Sequence, residues 1–143
     1  MPRVQSHVLM HCILRVTDNG FRIDARVCRQ LNAFIARWHR REKHGLHAVS
    51  MQQDHLHVLA QLRPSIAVVA YVRKLKTALA RWINRRHPKD RRFLWEHEWK
   101  AFSIASSQRE RECTVIFSQP RVHTRRDAHA EIAILERRSR LLR

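Results

Sequence analysis

The sequence predicts an α+β domain with elements in the order β-α-β-β-α-β. This is the ferredoxin-like pattern, an antiparallel sheet with helices on one face and an extra C-terminal helix. Three observations lead there. Two segments alternate apolar and polar residues with the period of a strand; two others carry apolar stripes at helical spacing; and the strands and helices interleave in that order. A length of 143 residues suits one domain, and no repeat or long linker divides it.

Each element follows from its residues. His7–Val16 places Val8, Met10, Cys12, Leu14 and Val16 on one face and Leu9, His11, Ile13 and Arg15 on the other. Asp18-Asn19-Gly20 is a turn. Asp24 is an N-cap for a helix whose apolar residues are Val27, Leu31, Phe34, Ile35 and Trp38, ending in the charged run before Gly45. Leu46–Met51 and His55–Leu62 read as a hairpin closed by Gln52-Gln53-Asp54. Pro64-Ser65 opens a second helix with the stripe Val68, Val72, Leu75, Leu79 and Trp82/Ile83, stopped by His87-Pro88. An irregular aromatic and charged stretch, Phe93–Trp99, leads into a short strand around Ala101–Ala105. Ser107-Gln108-Arg109-Glu110 is a capping box for a third helix reaching about Gln119, which Pro120 ends. Two helices on one face leave the other sheet face for a ligand or a second subunit. Residues 1–120 form the expected domain, and 121–143 a basic, helical tail.

Charge narrows the function. Lys and Arg number 29 against 12 Asp and Glu, a net +17 with His neutral. Such an excess repels itself and is best offset by a polyanion, nucleic acid before an anionic membrane. Cys12, Cys28 and Cys113 are too few and too widely spaced for a disulfide framework or a zinc ribbon. With no signal-like N-terminus and no long apolar run, the expected setting is the reducing cytoplasm, without a membrane role.

The chemically pointed segment is Asp54-His55-Leu56-His57-Val58-Leu59. On a strand, His55 and His57 share a face and can both reach one metal ion, with a third ligand from elsewhere. Among eleven histidines the same pair also arises by chance, so spacing alone leaves both readings open.

The ordered blocks go further. His55-Leu56-His57 is followed by Val72-Arg73-Lys74-Leu75-Lys76, Trp82-Ile83 and Leu94-Trp95. Ala101-Phe102-Ser103-Ile104, Ser107-Gln108, Ile116 and Gln119-Pro120 complete the set. In this order and spacing the chain resembles the one-tyrosine HUH transposases. These small enzymes move insertion sequences as single strands, and they include the REP-associated tyrosine transposases.

The resemblance implies that His55 and His57 hold a divalent ion, Mg2+ or Mn2+, with Gln119 as third ligand. It implies a single-stranded or hairpin DNA substrate and a homodimer in which the tyrosine helix of one subunit completes the site of the other. The free sheet edge and the apolar residues Cys113, Ile116 and Phe117 could serve that dimer. It also exposes a departure. The family's nucleophilic tyrosine precedes the glutamine by one helical turn, and that position is Val115, which has no nucleophilic atom. Tyr71, the chain's one tyrosine, is a distant substitute. Loss of tyrosine chemistry is therefore expected.

The second helix carries no acid from Arg63 to Lys89. Arg73, Lys74, Lys76, Arg81, Arg85 and Arg86, with Lys89, Arg91 and Arg92 in the following loop, are the expected phosphate contacts. Trp95 and Trp99 could stack bases or join the core. Two other functions stay open: a metal-dependent nuclease in which water attacks the phosphate, and a ferredoxin-like RNA-binding module without metal chemistry.

Overall fold

The structure, a computed structural model, describes residues 9–17, 23–86 and 92–118. The expected turn at 18–20, Lys89, Arg91, Gln119, Pro120 and the tail 121–143 lie outside the described residues.

Four strands, β1 (Leu9–Val16), β2 (Gly45–Met51), β3 (His55–Gln61) and β4 (Trp95–Ile104), form one sheet in the order β2-β3-β1-β4. Every neighbouring pair is antiparallel, the ferredoxin-like arrangement. Helices α1 (Ala25–Arg41) and α2 (Val68–Asn84) follow β1 and β3, and α3 (Arg109–Phe117) follows β4.

The alternation in β1 sorts its residues as expected. Met10, Cys12, Leu14 and Val16, with Leu56, Val58 and Ala60 of β3, face α1 and α2. There they meet Leu31, Ile35 and Trp38 of α1 and Val72, Leu75, Leu79 and Ile83 of α2, all buried. Asp24 caps α1: its Oδ1 accepts the amides of Arg26 at 2.7 Å and Val27 at 3.4 Å. The hairpin closes where expected, with the Gln52 amide donating to the His55 carbonyl at 2.8 Å.

Four expectations are corrected. Helix α2 starts at Val68 rather than at Pro64-Ser65, because residues 64 and 65 form a turn closed by the Ile66 amide donating to the Arg63 carbonyl. β4 starts at Trp95, so most of the supposedly irregular stretch is strand. A bulge hid it: Leu14 pairs with Trp99 but Val16 with Trp95, which puts two extra residues into β4. The box at Ser107 does not cap a helix. A 3-10 turn spans Ser106–Gln108, and α3 begins after it with no side-chain cap.

The fourth correction matters most for function. The second sheet face is partly covered, because Ile116 of α3 packs on Leu9, Ala48, Leu59 and Ile104. Ile116 is fully buried and the Cys113 thiol meets the His47 carbonyl, which leaves Phe117 as the exposed apolar residue of that helix.

Candidate functional site

The face covered by α3 is also the histidine face. His55 and His57 are fully buried, with ring centroids 4.9 Å apart in a T-shaped arrangement. Each ring is held through Nδ1. His55 Nδ1 donates to Asp54 Oδ1 at 2.7 Å, and His57 Nδ1 lies 2.9 Å from His11 Nε2. His11 belongs to β1, where it pairs with Leu59 and so lies diagonal to His57. Its Nδ1 is 3.0 Å from Glu112 Oε2 on α3. The Nε2 atoms of His55 and His57 are both buried.

Two cationic residues border this group. Arg15 pairs with His55, and Lys100 of β4 pairs with Ile13, itself opposite His57. Val115 of α3 packs on Ile13, as does Phe102, and Ile13 lies opposite His57. One α3 turn thus brings Glu112 and Val115 to the same face.

Residues 4–116 match the family model described as "Transposase IS200 like". The chain belongs to that family of IS200-like transposases.

No curated protein matches the chain in sequence. Among solved structures, it is similar to a candidate transposase of Deinococcus radiodurans R1. That likeness has a TM-score of 0.64 and 18% identity, covering 83% of this chain and 96% of the other. It is also similar to a REP-associated tyrosine transposase bound to a REP hairpin, with a TM-score of 0.62 and 12% identity. Here coverage is 86% of this chain and 74% of the other. At these identities the two structures speak for the fold.

Placed on this transposase fold, the residues singled out in the sequence separate. His55 and His57 come together, and Val115 comes to their face. Gln119 lies outside the described residues, and among the described residues no group of three His, Cys, Asp or Glu converges on a metal position.

Tyr71 is withdrawn as a substitute nucleophile. It is fully buried in the α1/α2 layer across the sheet from His55 and His57, and it is bonded to His39 Nε2 at 2.6 Å. Burial pushes its phenol pKa well above the usual value, and the thiol of Cys12 adds to that shift. A neutral phenol facing the core cannot attack a phosphate on the far face.

The basic surface also divides. Arg73, Lys74, Arg81, Arg85 and Arg92 are exposed. Lys76 is engaged within the fold instead of standing out as an exposed cation. Its Nζ donates to the carbonyls of Glu96 at 2.7 Å and His97 at 3.3 Å, tying α2 to β4, and burial lowers its pKa. Arg86 lies over the Trp82 ring at 3.7 Å and donates to the Trp82 carbonyl. Because α2 covers the opposite sheet face, the basic surface and the histidines lie on opposite sides of the sheet. Trp95 and Trp99 pack against the main core, and Trp95 Nε1 donates to the Lys76 carbonyl, so neither is a free stacking platform.

Sequence reasoning missed Glu112, His11, Arg15 and Lys100 as members of the site. The face assignment of β1 already grouped His11 and Arg15, and only the register to β3 was lacking.

Proposed function

We propose that this transposase-family protein binds single-stranded or hairpin DNA and holds a divalent ion, Mg2+ or Mn2+, through His55 and His57. Its tyrosine-dependent strand cleavage is lost at Val115. The observation that carries this reading is the buried histidine pair, oriented through both Nδ1 atoms, on the face where α3 sets Val115. Two imidazoles fit a divalent ion, and they suit Mn2+ at least as well as Mg2+, which favours oxygen. Gln119 and phosphate or water oxygens would complete the shell. When bound, the ion supplies Lewis-acid polarisation of a phosphoryl oxygen.

The chain's own residues do the rest. Asp54 and His11 orient the rings, while Arg15 and Lys100 place positive charge at the edge of the phosphate's position. The exposed cations of α2 bind the DNA backbone away from this centre. A REP hairpin bound to a protein of the same fold supports the choice of ligand. A homodimer using the exposed Phe117 and the sheet edge, in the cytoplasm, completes the proposal; no helix among the described residues is long and apolar enough to cross a membrane.

The second reading, a nuclease using water, is favoured by one observation: the histidine pair is kept while Val115 offers no nucleophile. An RNA-binding module loses its ground to the family membership. Manganese titration with a labelled hairpin oligonucleotide tests the scheme. The wild-type chain should bind Mn2+ and give no covalent adduct, and His55→Ala/His57→Ala should lose the ion while staying folded. Equal Mn2+ affinity in that double variant refutes the metal assignment, and metal-dependent nicking to free ends would establish the water route.

A further inference from the structure

Glu112 is a carboxylate with 3% of its surface exposed, and His11 is 1% exposed. Buried charges are kept only when paired and hydrogen-bonded. The partners form a chain across three elements: Glu112 Oε2 on α3, His11 on β1 at 3.0 Å, then His57 Nδ1 on β3 at 2.9 Å from His11 Nε2.

The donor inventory gives this chain a direction. An ionised carboxylate only accepts, so His11 carries its proton on Nδ1. In its neutral form His11 accepts at Nε2, and the proton of the next bond comes from His57 Nδ1. The lone pair of His57 is thereby placed on Nε2, the buried atom at the other edge of the ring. Asp54 imposes the same tautomer on His55 in one step.

We infer that Glu112 and His11 are positioning residues. They form a buried carboxylate–imidazole relay that holds His57 as the Nδ1–H tautomer and so presents Nε2 to a divalent ion. The inference rests on the proposed metal site for its purpose, but the tautomer is a property of the metal-free chain. It also gives α3 a second task besides carrying position 115, since the relay begins on that helix.

The test starts on the 15N-labelled full chain without metal, buffered above the ordinary histidine pKa of about 6.5. Long-range 1H–15N correlations should show His11, His55 and His57 all protonated at Nδ1. A wild-type His57 protonated at Nε2 overturns the relay without any variant. Glu112→Leu should convert His57 to a mixture of tautomers and weaken Mn2+ binding, read from the free-ion EPR signal, by about 10- to 100-fold. Glu112→Gln keeps an acceptor oxygen and should stay close to wild type in both readouts. An unchanged tautomer and affinity in Glu112→Leu overturns the inference. If the wild-type chain binds no Mn2+, the metal reading fails by itself, and the tautomer shift in Glu112→Leu still decides the relay.

Discussion

Lowering the pH should loosen the helix layer through His39, a fully buried residue of α1. Its Nδ1 donates to the Ile35 carbonyl at 2.8 Å, and its Nε2 accepts from the Tyr71 hydroxyl at 2.6 Å. Both ring nitrogens are therefore satisfied in the neutral form. Burial pulls its pKa down to about 4; the bond to Ile35 opposes that shift, and nearby His44 adds to it. The unfolded chain has the ordinary value of about 6.5 and so takes up the proton first. The stabilisation from neutral His39 is full above about 6.5 and is lost as pH falls from there to about 4. At about 1.4 kcal/mol per unit, that window amounts to about 3 kcal/mol, a large share of the 5–15 kcal/mol typical of a domain. His44, also lowered by burial, acts with the same sign. Urea unfolding followed by tryptophan fluorescence across this range should show the loss, and His39→Gln should flatten it. Parallel pH profiles for wild type and His39→Gln would refute the assignment to His39.

Tyr71→Phe leaves the His39 acceptor unsatisfied and should cost about 1–3 kcal/mol in the same unfolding assay, with no effect on any DNA adduct. Val115→Tyr should create a covalent protein–DNA adduct on a hairpin oligonucleotide with Mn2+ present, seen on a denaturing gel; a wild-type adduct would show that another nucleophile exists. Changing Lys74, Arg81 and Arg85 to Gln should flatten the log–log salt dependence of single-strand binding by about 0.7 for each phosphate that is no longer neutralised. An unchanged slope would place the DNA on another surface.

Much of the fold lay in local pattern. The two-residue period of β1 and β3, the stripes of α1 and α2 and the cap at Asp24 each depend on near neighbours, and each was found close to its place. His55 and His57 were visible for the same reason, since two residues on one strand share a face whatever surrounds them. What failed locally was decided by the tertiary structure. The bulge beside Trp95 broke the period of β4, and the 3-10 turn took Ser107 away from the helix entrance. Lys76 reads as one more exposed cation until β4 offers it two carbonyls.

The sequence by itself determined the element order, the pairing of His55 and His57 on one strand face, the excess of positive charge and the presence of valine at position 115. It could not assign Tyr71 to the core, separate the basic surface from the histidine face, or join Glu112 to His11. Those two residues lie 101 positions apart, and they meet only because β1 sits between β3 and β4 while α3 folds back over the sheet. Contacts of that kind depend on strand register and helix packing, which no short window of sequence contains.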